Sequence, residues 1–246
     1  MRAVHIAAGL GLLSATASAQ TLPQSTYLKL GAGLANPSPA GAADIDPQRP
    51  LICGNANCTA PGSLNNIGNG TALEIGVGFK PLPWLRTDLS LTHIGGQKLS
   101  ETDAAGRNFG TNLTSNALML NAYADIPGNF GGLRPYVGGG IGVANVATSD
   151  FTVISAGGAT TRVFNGGNSN NFAFQGSAGV SIPVTPNLEM DLGFKYLDSG
   201  RFVGSSGIPT INGVFNQAFA SAPGIEGDVT TKLFYISART SGFWGP

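Results

Sequence analysis

Charge is scarce in this 246-residue sequence. Only 11% of the residues are Asp, Glu, Lys or Arg, less than half of the ~25% usual in soluble domains. The 13 basic and 13 acidic residues balance, which argues against a nucleic-acid-binding protein. After the N-terminal region, no stretch approaches the roughly 18 consecutive apolar residues of a transmembrane helix. The 42% hydrophobic residues can bury a sizeable core, which argues against disorder.

Cysteine and histidine are also scarce. The two cysteines, Cys53 and Cys58, lie in a stretch rich in Pro, Gly and Asn, and in an exported chain we predict that they form a disulfide. Beyond the N-terminal region His93 is the only histidine, so the chain cannot assemble a Cys₂His₂ metal site. The sequence neighbours of His93 supply neither a nucleophile nor an acid. We predict no catalytic residue, no metal and no cofactor.

The N-terminal region has the pattern of a secretory signal peptide. Arg2 gives a short positive region, a mostly apolar segment follows over residues 3–13, and Ala17-Ser18-Ala19 is an A-x-A cleavage site. The alternative, a first core helix or membrane anchor, is disfavoured because the apolar segment is too short to span a membrane. We therefore predict a signal peptide over residues 1–19 and a single domain over residues 20–246.

Alternation of apolar with small or polar side chains dominates the remainder. A period of two residues is typical of β-strands with two different faces. Eight segments of about ten residues show it: 27–34, 72–80, 85–93, 117–126, 136–146, 172–182, 188–197 and 229–239. In the last segment we favour an outward Phe234 and Ile236 with an inward Tyr235 and Arg239, and the opposite register is the alternative.

The connections between these segments alternate in length. Short turns near residues 81–84, 127–134 and 183–187 alternate with connections of about 20 to 35 residues. Within the third long connection, residues 151–155 and 160–164 predict a hairpin above the membrane. Short turns at one end and long loops at the other are typical of outer-membrane barrels. We predict an all-β fold: an eight-stranded antiparallel transmembrane up-and-down β-barrel with four long extracellular loops and short periplasmic turns.

The composition of the two faces predicts which one meets lipid. The apolar face is almost free of charge, as a lipid-facing surface must be, and the other face combines glycines with charged side chains, which suits a narrow interior. Trp84, Phe79, Phe130 and Tyr136 cluster near the short turns and predict an interfacial aromatic girdle. The ten predicted lumen charges are Lys29, Glu74, Lys80, Arg86, Asp88, Asp125, Glu189, Asp191, Lys195 and Arg239. Five acids and five bases predict buried ion pairs, and a selective pore lining is the alternative.

Three segments carry a family resemblance. LRPYVGGGIGVA (133–144), FQGSAGVSI (174–182) and LEMDLGFKYLDSG (188–200) resemble strands of the small outer-membrane β-barrel proteins of Gram-negative bacteria, the opacity-protein-like surface antigens of the OmpA-type barrel superfamily. The resemblance implies a cell outer membrane location, contact with outer-membrane lipid, and insertion by the barrel-insertion machinery. Family members commonly end on an aromatic residue, whereas Phe243 and Trp244 are displaced from the end of this chain.

The resemblance implies a non-enzymatic surface protein that acts through its loops, in envelope integrity, in adhesion or as a surface antigen. The loops would contact a host or surface ligand, and nucleic acid is not an expected partner. The alternative is a narrow porin-like channel for small or apolar solutes, with Lys195, Asp191 and Glu74 near its middle. A third class, a soluble lipocalin-like binder, would bury the apolar face instead and expose the charges.

Overall fold

The computed structural model describes residues 26–38, 41, 43–44, 67–102, 106–128, 130–204, 210–211, 214–215 and 225–241. No helix in these ranges is long and apolar enough to cross a membrane. The predicted signal peptide, Cys53 and Cys58 lie outside the described residues. The strands of the described part are β1 (Thr26–Pro37), β2 (Ala43–Asp44), β3 (Gly70–Leu82), β4 (Leu85–Thr102), β5 (Asn108–Asp125), β6 (Arg134–Thr148), β7 (Phe151–Ile154), β8 (Thr160–Phe164), β9 (Asn168–Thr185), β10 (Leu188–Val203), β11 (Thr210–Ile211), β12 (Val214–Phe215) and β13 (Ile225–Ser241).

Eight long strands close into a barrel. In order around the ring they are β1, β3, β4, β5, β6, β9, β10 and β13, and β13 returns to pair with β1. Every pairing is antiparallel and joins strands that are consecutive along the chain, apart from the closing pair and the inserted short strands. Closure leaves none of the eight with a free edge, which a membrane interior would not tolerate. The predicted eight-stranded barrel is confirmed.

The apolar stripe faces outward. Leu89, Val143 and Leu192 are 47%, 59% and 44% exposed, whereas Lys29 and Arg86, on the opposite face, are buried. The last strand has the favoured register, since Phe234 and Ile236 are exposed and Arg239 is buried. This orientation is the reverse of a soluble barrel and excludes the lipocalin-like alternative.

The strands are longer than the sequence pattern predicted. They span 12 to 18 residues in the barrel instead of about ten. β4 continues to Thr102 and β5 begins at Asn108, so the second outer connection, predicted at about 20 residues, is mostly strand. The predicted hairpin is present as β7 and β8, and β7 pairs with the outer end of β5. It extends the wall and adds no spanning strand.

The interior changes character along the barrel axis, which the sequence analysis did not anticipate. Along β5 the inward side chains pass from Tyr123 and Asn121 near the periplasmic end to the buried Leu113 and Phe109 near the outer end. An upper core of buried apolar residues fills the outer half. It consists of Ile67, Leu99, Phe109, Leu113, Val146, Phe151, Val153, Phe202, Ile225 and Val229. Only the lower half has the predicted charged lumen.

The outward face changes in the opposite sense at the same height. On β5, Leu120 and Leu118 are exposed apolar residues, and the next outward positions are Asn116 and Thr114. An apolar inside with a polar outside is the pattern of a water-soluble barrel. The wall therefore continues past the lipid-facing region as an extension that projects from the membrane.

β-bulges mark this transition on two strands. The register of β4 shifts between Ile94 and Gln97, and that of β10 shifts between Asp198 and Arg201. Gly96 and Gly200, within these shifts, have φ angles of 77° and 74°, which suit glycine far better than other residues. Bulges bend a strand and increase its local twist, and both of these lie at the height where the outward face changes from apolar to polar.

Candidate functional site

The lower lumen holds a cluster of four buried charges contributed by four strands. Lys29 Nζ lies 2.8 Å from Glu74 Oε1 and 2.7 Å from Asp88 Oδ2. Lys195 Nζ lies 2.7 Å from Glu74 Oε2. All four side chains are buried, and two cations alternate with two anions. The cluster is neutral as a unit, which buried charges require if they are to persist.

A second cluster lies closer to the periplasmic end. Arg86 Nη2 lies 2.7 Å from Asp125 Oδ1, and Arg86 Nη1 lies 3.8 Å from Asp191 Oδ2. Arg239 contacts Asp191 at 2.6 Å through Nε and Glu189 at 2.8 Å through Nη1. The planar guanidinium groups each reach two carboxylates, as their fork of donors permits.

At the periplasmic mouth, charged side chains converge on Glu189. Lys80 Nζ lies 3.1 Å from Glu189 Oε2, and Arg134 Nη1 lies 2.7 Å from Glu189 Oε1. Arg134 is not among the predicted lumen charges, because the alternating pattern begins only at residue 136. Its sequence signal is weak: it is an isolated arginine before a proline at the end of a turn. The structure thus places all ten predicted lumen charges in ion pairs and adds an eleventh residue.

Tyrosine rings fill the space between the two charge clusters. The ring of Tyr123 lies between Lys29 Nζ and Arg86 Cζ, with its centroid 5.2 Å from each, a geometry that allows two cation–π contacts. Tyr136, predicted to belong to the aromatic girdle, is instead buried in the lumen, and its hydroxyl group is hydrogen-bonded to that of Tyr235. Tyr136 occupies an inward position of the alternating pattern, and its neighbour Val137 faces outward. The alternation therefore decides where Tyr136 lies, although the residue is close to a turn.

Two glycines make room for these rings. A Cβ atom on Gly78 would lie 2.5 Å from Tyr27 Cζ, and one on Gly138 would overlap the ring of Tyr123. Glycine in a strand interior weakens the strand unless something must approach it closely. The lumen glycines here accommodate tyrosine rings as well as charged side chains.

The lumen is tightly filled at the level of Glu74. The cavity beside Glu74, Thr92 and Lys195 has a volume of about 10 Å³, room for a single water molecule. Directly above it lies a layer of buried apolar and small residues. This layer consists of Ala35, Ala72, Ile94, Ala117, Met119, Ala144, Ala173, Leu197 and Leu233. The upper core continues the packing outward. The paired charges and the packed apolar side chains therefore serve to stabilise the barrel wall.

His93 lies on the outer surface of β4 and takes no part in the lumen. Its Nδ1 is 2.7 Å from Asn116 Oδ1 on the neighbouring strand, and both groups face outward. Among the described residues, the hydrogen-bond partner of this imidazole is Asn116, and no carboxylate forms an ion pair with it. The described part of the chain also holds no group of three or more His, Cys, Asp or Glu that could bind a metal.

A family model described as "Outer membrane protein beta-barrel domain" matches residues 5–237. The chain belongs to this family. Among curated relatives, outer membrane protein PagN of Salmonella typhimurium is 29% identical over 203 residues, which cover 76% of this chain and 79% of that protein. A Rickettsia conorii protein named "Putative adhesin RC1281" is 32% identical over 162 residues, covering 61% of this chain. That match spans only 64% of the Rickettsia protein.

Solved structures show the same fold. The crystal structure of Neisserial surface protein A is 15% identical and has a TM-score of 0.50, with 88% of this chain and 96% of that chain covered. With family membership and the outward apolar surface, the location is established: this member of the outer membrane β-barrel family is an outer membrane protein.

Proposed function

We propose that this outer membrane barrel is a non-enzymatic adhesin, whose extracellular connections contact a host or other external surface. The observation that carries the proposal is the upper core. It turns the outer part of the wall into a rigid pedestal, and it displaces the outer connections from the membrane. A barrel that served only as an anchor would not need this extension.

The height of the pedestal follows from the strand length. On β5, eight residues separate Asn116, just above the apolar surface, from the strand end at Asn108. At ~3.3 Å per residue and a tilt of about 40°, these residues rise roughly 20 Å along the barrel axis. The rings of Phe109 and Phe151 pack with centroids 6.5 Å apart and join the β7–β8 hairpin to this wall. The connections are thus presented well above the lipid.

The relatives support the same function. One curated relative carries the name adhesin and another is an outer membrane protein. Under this proposal residues 1–19 direct export, and the barrel-insertion machinery folds residues 20–246 into the membrane. Under the same proposal, Cys53 and Cys58 form a disulfide in the first outer connection. A closed loop this short adds little to overall stability, so the role of the disulfide is to restrict the conformation of that connection.

The channel alternative has less support. Conduction requires a path through the lumen, and the described lumen is filled by paired charges, tyrosine rings and two apolar layers. Catalysis is also unsupported by the described residues, since His93 faces outward beside Asn116. The protein's role is therefore assigned to its outer connections.

Adhesion by cells that display the protein tests this proposal. The full chain is expressed in a non-adherent Gram-negative host, and binding to monolayers of cultured epithelial cells is counted. Variants replace residues 45–66, 103–107, 155–159 or 205–224 with a short Gly-Ser linker. The control replaces the periplasmic turn, residues 127–132, with the same linker. Surface labelling confirms equal display.

We expect the displaying cells to bind well above the empty host, and at least one outer replacement to abolish binding while the turn replacement retains it. Binding no greater than that of the empty host would refute the proposal. Unchanged binding after all four outer replacements are combined would refute it equally.

A further inference from the structure

Two rows of side chains cross the outer wall of four neighbouring strands, β4, β5, β6 and β9. In each row the members are direct cross-strand partners. The lower row is exposed and apolar and consists of Leu91, Leu118, Val143 and Phe172. The upper row lies two residues farther out on every strand and consists of His93, Asn116, Asn145 and Asn170. The step from hydrocarbon to polar contact thus occurs within one side-chain repeat, about 7 Å.

The upper row is polar but uncharged, apart from the imidazole. His93 Nδ1 lies 2.7 Å from Asn116 Oδ1. Asn145 Nδ2 donates to Asn170 Oδ1 at 2.7 Å and to Asn168 Oδ1 at 2.5 Å. These bonds orient the carboxamides and leave the amide groups of Asn116, Asn168 and Asn170 available as donors. A row of fixed, neutral donors and acceptors therefore faces sideways from the barrel.

A recess opens directly above this row. This recess is shallow and widely open to solvent, and it is lined by Ala147, Thr148, Asp150, Asn165, Gly166, Gly167, Asn168 and Val203. Asn168 belongs to both features, because it lines the recess and accepts the hydrogen bond from Asn145. Asp150 is fixed by the backbone, with its Oδ1 accepting from Gly166 N at 3.0 Å. One carboxylate oxygen remains available.

We propose that the upper row and the recess together bind the saccharide headgroup of a glycolipid in the outer leaflet. Sugar hydroxyls both donate and accept, and carboxamides and carboxylates offer matching groups. A phosphate fits poorly, because neither the row nor the recess contains Lys or Arg and the recess contains Asp150.

The position of the site assigns the saccharide to a lipid instead of a soluble glycan. The row begins immediately above Leu118 and Val143, which contact acyl chains. Its side chains point laterally, into the headgroup layer of the surrounding leaflet. When the acyl chains of a lipid lie along the lower row, its headgroup lies at the height of the upper row. The upper row belongs to the barrel wall, whereas the proposed adhesion resides in the outer connections, one of which borders the recess through Asp150 and residues 165–167. The Asn variants below change the wall alone, so the two proposals can fail separately.

Thermal unfolding in lipid nanodiscs tests the proposal. The full chain is refolded into phosphatidylcholine nanodiscs that contain increasing fractions of rough-type lipopolysaccharide. The unfolding midpoint is expected to rise with the glycolipid fraction. In the Asn145→Leu/Asn170→Leu variant we expect about tenfold more glycolipid to be needed for the same rise, since each lost hydrogen bond weakens binding several-fold. Asn36→Leu, on an outward position of β1, is the matched control and should behave as the unsubstituted protein.

Two further measurements distinguish binding of the saccharide from binding of its phosphate groups. Dephosphorylated lipopolysaccharide should retain the effect, and raising NaCl to 1 M should leave it unchanged, whereas phosphate binding would be screened. Heat-modifiable gel migration verifies folding, and Asn170→Ala replaces the double variant if that variant does not fold. The proposal is overturned if the Asn variant responds as the unsubstituted protein does, if Asn36→Leu loses the response equally, or if the response requires phosphate.

Discussion

Replacing Glu74 with Gln tests whether the lumen charges depend on one another. Glu74 is the shared partner of Lys29 at 2.8 Å and Lys195 at 2.7 Å. Lys29 retains Asp88 after the change, but Lys195 loses the one ion pair that it forms with the described residues. The Lys195 side chain is 1% exposed, and its buried ammonium would keep only neutral neighbours, the ring of Tyr235 at 4.9 Å and the introduced amide. Removing one partner of a buried pair costs about 3–5 kcal/mol, and we expect a loss of unfolding free energy in this range.

Equilibrium unfolding of the refolded barrel in detergent micelles measures this loss. Trp84 is exposed on the lipid-facing side, so its fluorescence reports the transfer of the barrel to water. Arg201→Gln is the matched control, because it also removes a charge from an ion pair, with Glu226 at 3.1 Å, but the Arg201 side chain is 56% exposed. A surface pair of this kind contributes about 0–1 kcal/mol.

The double variant Glu74→Gln/Lys195→Met completes the test. It removes the orphaned charge, so it should recover at least about 2 kcal/mol of the loss seen with Glu74→Gln alone. A loss below about 1 kcal/mol for Glu74→Gln, or a double variant no more stable than the single one, would refute the reasoning that the lumen is dry and closely paired.

Three more outcomes follow from the described geometry. Phe202→Ala in the upper core should cost about 3–5 kcal/mol and make the outer end sensitive to protease while the membrane region stays folded; intact resistance to limited proteolysis would contradict this. Leu120→Arg, on the lipid-facing surface, should cost roughly 2–4 kcal/mol, whereas Asn116→Arg, four residues farther out, should cost about 0–1 kcal/mol; equal losses in unfolding experiments would place the membrane boundary elsewhere. In planar bilayers the barrel should give no reproducible conductance steps, and steps that change with Lys195→Met would favour the channel instead.

Alternation along the chain predicted most of the fold. A period of two residues is a local property, so the faces of strands such as β10, with Leu192 outward and Lys195 inward, follow from the sequence directly. For the last strand the alternation favoured one register and left the opposite one open, and the observed pairing with β1 and β10 decides between them. Strand ends were predicted less well, because β4 and β5 continue as an ordinary polar and apolar alternation where loops were expected.

The candidate sites, like the fold, were predicted from the sequence only in part. The ten lumen charges can be found from parity and charge, but parity does not give their partners: Glu74 and Lys195 are 121 residues apart and meet only across the closed barrel. The upper core was missed, although the exchange of apolar and polar positions after Asn116 is visible along β5. The polar row requires the registers of four strands, and the recess above it requires the hairpin to fold back.

The sequence by itself determined that this chain forms strands with one lipid-compatible face, because side-chain alternation is set within each strand. Only the tertiary structure decided which charges pair, where the lumen closes and how far the wall rises above the membrane. Those features depend on the register between strands distant along the chain, and no local pattern of residues encodes that register.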